Sequence, residues 1–273
     1  MNSSNRITVN INENQCYFLS LFYAREKCGE MINAILHFYY KKQTYISNCL
    51  ISFSTEKGEH LQVTFTTLVE KNNKQTEEIN TYFQSFFKRY PSISSSIFPY
   101  GKAIWCNYPN NSLVWNKIKI HCYSKPCLSF HQKTIDLSLK LLMDDFSEDA
   151  FLSLGIYLIT KGLCLFTFNE QKDVLLQALQ EASISYPLLV YTAKDLVNEI
   201  NISEVSEVVE SCRNEKNCDY SQELIDWLND ANNIKMFYGF EKFCTLTCEI
   251  TDLKGLRQLM ILELLKKLST FAK

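Results

Sequence analysis

Hydrophobic and polar residues alternate along several short segments of the first 125 residues. The clearest is HLQVTFTTLV at 60–69, where Leu61, Val63 and Phe65 fall on one side and polar residues on the other. Strand-like segments are 15–23, 45–53, 60–69 and 113–123, and segments with helical spacing are 25–42 and 74–90. This β-α-β-β-α-β order predicts a ferredoxin-like antiparallel sheet with two helices on one side.

The remaining residues carry mainly helical periodicity. Predicted helices are 132–146, 148–164, 171–182, 204–216, 222–232 and 253–271. Between the last two, the aromatic run 236–240 with its turn-forming Gly239, followed by 243–250, predicts one extra hairpin. We therefore expect an α+β protein, with a ferredoxin-like half at 1–125 and a mainly helical half at 126–273, packed together as one compact unit.

The two halves of the chain also differ in net charge. The chain of 273 residues contains 28 Lys and Arg and 30 Asp and Glu; residues 1–130 carry a net charge of +6 and residues 131–273 a net charge of −8. The overall pI of about 6.1 gives no support for direct nucleic-acid binding. The acidic excess of the second half is typical of solvated helix faces.

Composition excludes several kinds of site. The seven glycines form neither a G-x-G-x-x-G nor a Walker-type loop, so a phosphate-cradling nucleotide site is not expected. The eleven cysteines contain no C-x-x-C pair, and we predict no metal and no cofactor. The chain begins without a secretion signal, and its apolar segment 256–268 is too short and too charged to span a membrane, so we predict a cytoplasmic protein without a membrane partner.

Candidate chemistry lies on the polar side of the predicted sheet. Segment 113–123 is predicted to turn Val114 inward and to place Lys119 on the polar side. The polar face would then carry His60, Gln62, Thr64, Lys119, His121 and Tyr123. Such a patch suits an anionic or peptide ligand, and the alternative is a sheet face that meets solvent or another domain. His131, at a predicted helix start, is expected to be exposed.

A second, weaker candidate is the loop that contains Tyr100 and Lys102. These two residues flank Gly101, and the arrangement is compatible with the lining of a pocket. No Ser-His-Asp or Cys-His arrangement and no G-x-S-x-G elbow accompanies either candidate.

Several segments resemble a known family. ISNCLISFSTEKGEHLQVTF at 46–65 is similar to a strand-loop-strand of the form FIRYxDPxxHLRLRF, with Gly58 at the turn. KIKIHCY at 117–123 resembles a strand ending in a TYxRE-like motif, IDLSLKLLMDDFS at 135–147 resembles a helix that usually reads AExLFxxDS, and 234–268 resembles a closing HMHxNR segment with its terminal helix. These motifs belong to the C-terminal, glutamate-elimination domain of lantibiotic dehydratases, also found alone as the thiopeptide-type bacteriocin biosynthesis protein.

The resemblance implies a function in the maturation of a ribosomally made peptide. In the family, glutamate is transferred from glutamyl-tRNA to Ser or Thr of a precursor peptide, and this domain then eliminates it to leave dehydroamino acids. Related stand-alone members form the central ring of thiopeptides. If the protein is a lyase-type eliminase or cyclase, as the resemblance implies, the catalytic candidates on the polar face are His60, Lys119, His121 and Tyr123. The substrate-binding candidates are Gln62 and Thr64 of that face and Tyr100 and Lys102 of the loop.

Departures from the family pattern keep a second interpretation open. Gln62 and Thr64 replace the two strand arginines, and the Glu and Arg expected after Tyr123 are absent. An eliminase needs a cation for the departing carboxylate and a base for the α-proton. Elimination is therefore weakened, rerouted through Lys119 and His121, or lost. The alternative is a non-catalytic partner that binds the precursor peptide or a separate modification enzyme; the oligomeric state stays open.

Overall fold

A computed structural model describes residues 15–54, 57–93, 108–115, 125–143, 145–214 and 220–271. The chain divides into two compact units, residues 1–128 with 144–147 and residues 129–143 with 148–273. The α+β class predicted from the sequence is confirmed, because an antiparallel sheet near the N-terminus precedes mostly helical structure. The division predicted between residues 125 and 126 stays a prediction.

The first unit contains the predicted β-α-β-β-α-β order. Its elements are β1 (Cys16–Phe22), α1 (Cys28–Lys41), β2 (Ile46–Ser54), β3 (His60–Thr67), α2 (Asn73–Arg89) and β4 (Ser112–Trp115). Over the described residues, these strands form one sheet in the order β2-β3-β1-β4, and all neighbours are antiparallel. This order is that of a ferredoxin-like sheet.

The apolar side of the sheet packs against α1 and α2. Phe65 of β3 contacts the ring of Phe38 on α1, with ring centres 5.6 Å apart, and Phe38 also lies 5.8 Å from Phe83 of α2. Tyr17 of β1 donates a hydrogen bond from its hydroxyl to Gln75 of α2. The alternation in β3 therefore marks the buried core correctly.

The described portion of the second unit is helical. Its helices are α3 (Lys125–Leu142, which begins in the first unit), α4 (Glu148–Leu163), α5 (Phe168–Ser185), α6 (Val190–Glu199), α7 (Ile202–Asn214), α8 (Gln222–Ile250) and α9 (Leu256–Phe271). Phe130, Trp227 and Phe243 form an aromatic cluster in its core, with ring centres 5.6 to 5.8 Å apart. Among the described residues, no helix combines the length and hydrophobicity that a membrane span requires.

The prediction of a hairpin within 236–250 is wrong. The segment belongs to α8, which is interrupted at Gly239, where φ is +83° and ψ is 168°. This backbone conformation is accessible mainly to glycine. Beyond the interruption, Phe240, Phe243 and Cys244 are buried at helical spacing. An aromatic run is compatible with either a strand or a buried helix. Here the helix forms because it packs these side chains into the core.

Candidate functional site

Three of the residues predicted to form a site lie along β3. Gln62 and Thr64 point to the sheet face opposite α1 and α2, where both are partly exposed. Gln62 pairs across the sheet with Ser20 on β1 and Ser52 on β2. Opposite residues of neighbouring strands share a face, so these side chains form a neutral polar row.

The structure places Val114 on the opposite side of the sheet from the one that the sequence predicts. Val114 pairs with Ser20 in the β1–β4 ladder and therefore lies on the same face as Gln62. The sequence pattern placed it on the apolar side, but the register of β4 against β1 reverses this assignment, because adjacent positions in a strand point to opposite faces.

His60 is held at the start of β3 by the preceding turn. Lys57 and Gly58 both have positive φ, 63° and 121°, and the Gly58 carbonyl lies 2.7 Å from Nδ1 of His60. The imidazole packs on Phe22 with ring centres 4.6 Å apart, and His60 is buried. Because a carbonyl oxygen only accepts, Nδ1 of His60 is the donor in this contact. This geometry fixes the orientation of the imidazole and assigns Nδ1 as a hydrogen-bond donor.

The other predicted site residues lie outside the described residues. They are Lys119, His121 and Tyr123 of the predicted strand, and Tyr100 and Lys102 of the predicted loop. The structure therefore brings together His60, Gln62 and Thr64 on one strand, and the assignments of the other five stay predictions. Within the described ranges, no group of three or more His, Cys, Asp or Glu side chains is arranged to hold a metal ion.

A small cavity opens near the beginning of β1. Its volume is about 290 Å³, and it is lined by residues of β1, β4 and the N-terminal turn of α2, among them Phe18, Asn72 and Trp115. Phe18 pairs with Thr64 of β3. His60 does not line this cavity, so the base candidate and the cavity are separate features of the first unit.

A larger cavity lies within the second unit, between α4, α7 and α8. Its volume is about 560 Å³, within the range of about 300–1,000 Å³ that is typical of small-molecule sites. Its lining combines apolar and polar side chains: Lys161, Cys164, Leu165, Arg213, Tyr220, Ile225, Leu228 and Asn229. We call it the helical cavity. The sequence patterns did not predict it.

Lys161 joins the elements around the helical cavity. Its side chain is fully buried, and Nζ donates to the carbonyl of Cys212, at 2.7 Å, and to the hydroxyl of Tyr220, at 3.1 Å. Nζ also lies 4.4 Å from the ring centre of Tyr220 and 5.6 Å from that of Tyr157. Buried ammonium groups require such hydrogen bonds and ring contacts. A single lysine within the apolar segment 151–166 is the sequence signal for this arrangement.

A second cation, Arg213, lines the same cavity from the last turn of α7. Its Nε is buried and has no hydrogen-bond partner among the residues that the structure describes. The thiol of Cys164, also in the lining, interacts electrostatically with both cations. Partial desolvation raises the pKa of its thiol, while Lys161 and Arg213 act in the opposite direction. The electrostatic potential at the helical cavity is therefore shaped by two positive groups.

Comparisons with known proteins give a match at the level of fold. No family model and no curated protein matches the sequence. A solved structure, described as pyridine synthase TbtD from thiomuracin biosynthesis, matches with a TM-score of 0.60 and 10% sequence identity. The match covers 94% of this chain and 98% of that one. The chain therefore shares the fold of a thiopeptide-biosynthesis enzyme.

Proposed function

We propose that this protein acts in the maturation of a ribosomally made peptide, as a stand-alone protein of the elimination or cyclisation type. The observation that carries the proposal is the correspondence of fold with a pyridine synthase of thiomuracin biosynthesis over 94% of the chain. The similarity of 46–65, 117–123 and 135–147 to motifs of the glutamate-elimination domain supports the same pathway independently. The expected partner is a precursor peptide, and the expected location is the cytoplasm.

His60 is the base in this proposal. Its Nδ1 is engaged by the carbonyl of Gly58, so Nε2 is the atom that accepts a proton from an activated carbon. In glutamate elimination this proton leaves the α-carbon, the new double bond forms between the α- and β-carbons, and glutamate departs from the β-carbon. The proposal assigns stabilisation of the departing carboxylate to Lys119, because Gln62 and Thr64 are neutral.

The second candidate function is binding of the peptide without catalysis. The polar row around Gln62 contains Ser20 and Ser52, which carry no charge. Neutral residues occupy the positions of the two family arginines, and this favours a protein that presents a peptide to a separate modification enzyme. The two candidates share the peptide ligand and differ in the chemistry that follows.

The experiment measures binding and reaction together. The full chain is incubated with a precursor peptide that carries glutamylated Ser or Thr, and loss of glutamate is followed by mass spectrometry. A second sample contains a peptide with dehydroalanines, and its ring closure is followed by mass spectrometry. Fluorescence anisotropy of labelled peptides gives affinity. Catalysis predicts a mass change, binding without catalysis predicts affinity alone, and neither a mass change nor affinity would overturn the proposal.

A matched pair of variants tests the role of His60. His60→Phe keeps an aromatic ring against Phe22 but removes the base, and we expect loss of the mass change with retained peptide affinity. Thr66→Ala changes a partly exposed residue on the same face of β3 and serves as the control. Circular dichroism establishes that both variants fold. An active His60→Phe variant would exclude His60 as the base.

A further inference from the structure

We propose that the helical cavity binds a small organic carboxylate, with Arg213 as the group that holds its charge. This site belongs to the second unit and is independent of the peptide chemistry proposed above. Three features support this site: the buried Nε of Arg213 without a hydrogen-bond partner among the described residues, the positive charges in the lining, and the apolar surface beside them.

Arg213 is the first element of the site. Its Nε is buried and has no hydrogen-bond partner among the described residues. A buried donor without an acceptor is costly, and a bound acceptor removes that cost. The planar guanidinium fork matches the two oxygens of a carboxylate, as it also matches those of a phosphate, and the rest of the lining distinguishes the two.

The rest of the lining selects an anion with an apolar body. None of the described residues that line the helical cavity is acidic, whereas Lys161 and Arg213 are cationic. Leu165, Ile225 and Leu228 supply apolar surface. A strongly hydrated inorganic anion gains nothing from such surface, but an organic acid buries its hydrocarbon portion there.

Two further side chains complete the site. Asn229 is exposed at the cavity and offers an amide donor to a ligand oxygen. Tyr220 lines the cavity while its hydroxyl accepts from Lys161, so the buried ammonium positions the phenol ring. Lys161 is therefore a positioning residue, and Arg213 and Asn229 are the binding residues.

The experiment uses the full chain and two probes that differ only in charge. N-acetylphenylalanine carries a carboxylate on an apolar body, and its amide is the uncharged control; inorganic phosphate is the third probe. Calorimetry should give at least about tenfold tighter binding of the acid than of the amide, as expected for one charge-assisted hydrogen-bonded pair. Equal binding of acid and amide, or tighter binding of phosphate than of the acid, would overturn the proposal.

Cys164 provides a local readout of occupancy. Of the cysteines that the structure describes, it alone is exposed, and it lines the helical cavity. Alkylation by iodoacetamide, located by peptide mapping, should be slowed by the acid and not by the amide. Binding of the acid without protection of Cys164 would place the ligand elsewhere and refute the site.

Variants test the assignment of the charge. Arg213→Gln should weaken binding of the acid by about tenfold or more, whereas Arg89→Gln, an exposed arginine on α2, should leave it unchanged. Asn229→Asp places a negative charge at an exposed position of the cavity and should also weaken binding, and circular dichroism checks that both variants fold. Unchanged affinity in both Arg213→Gln and Asn229→Asp would contradict the proposal.

Discussion

Replacement of Gly162 by alanine tests how closely α4 approaches α8. A Cβ atom at this position would overlap Cε1 and Cζ of Phe243 and lie 3.1 Å from its Cδ1. The ring of Phe243 is 1% exposed and is surrounded by Phe130, Trp227 and Phe240, so it has no free space to enter. Relief of the overlap therefore requires a shift of the helices themselves.

The expected magnitude follows from two opposing effects. Alanine is more favourable than glycine inside a helix by about 1 kcal/mol. Overpacking of a close-packed core costs about 1–3 kcal/mol. Because the aromatic cluster cannot yield, we place the cost in the upper half of that range and expect Gly162→Ala to lower the free energy of unfolding by about 1–2 kcal/mol.

Urea denaturation followed by circular dichroism measures this difference. Ser153→Ala, on the exposed side of the same helix, is the control and should change stability by less than about 0.5 kcal/mol. In a Phe243→Leu background, Gly162→Ala should cost less, because the smaller side chain yields space, with a coupling energy of about 1 kcal/mol. A Gly162→Ala variant as stable as the parent would refute the close approach of α4 and α8.

Three further predictions concern a cap, a turn and an ion pair. Asn72→Ala removes the side-chain acceptor for the backbone N–H of Gln75 at the start of α2 and should cost about 1 kcal/mol in thermal unfolding. Gly58→Ala forces a Cβ onto a residue with φ of +121° and should cost about 1–3 kcal/mol by urea denaturation. The hydrogen bond from Lys140, together with hydrogen bonds from the backbone N–H of Glu223 and the side chain of Ser221, lowers the pKa of Glu223 to about 2, from 4.5. The pair therefore stabilises the fold above pH 4.5 and is lost as the pH falls toward 2. Glu223→Gln should flatten acid unfolding across this interval, as should high salt.

Each of these predictions has a contradicting result. An unchanged melting temperature in Asn72→Ala would show that solvent replaces the cap. A Gly58→Ala variant of parental stability would show that the turn adopts another conformation. Identical acid-unfolding curves for Glu223→Gln and the parent would show that Glu223 titrates alike in the folded and unfolded states.

The alternating pattern predicted the first unit because a half-buried sheet leaves a period of two in its sequence. In β3, Leu61, Val63 and Phe65 face the helices and their neighbours do not, as the alternation of apolar and polar residues predicts. β1 lies at the centre of the sheet and is buried along its whole length, so its sequence lacks alternation. Its aromatic content and length nevertheless identified it as a strand.

Other features depend on packing that no local pattern contains. The sequence predicts an exposed His131 at a helix start, but α3 begins at Lys125 and His131 is buried. The helical cavity joins Lys161 of α4 to Arg213 of α7, which are distant in sequence and form no motif. Only the packing of helices brings such residues together. A lysine within an apolar segment is visible in the sequence, but the sequence does not show which residues lie next to it in the fold.

The strand order β2-β3-β1-β4 has a consequence for the path of folding. β2 and β3 are consecutive in the chain and pair as a local hairpin, whereas β1 pairs with β3 across α1 and with β4 across nearly the whole unit. Closing a longer loop costs more entropy before its contacts form. We therefore expect the β2–β3 hairpin to acquire amide protection first during refolding and β4 to acquire it last.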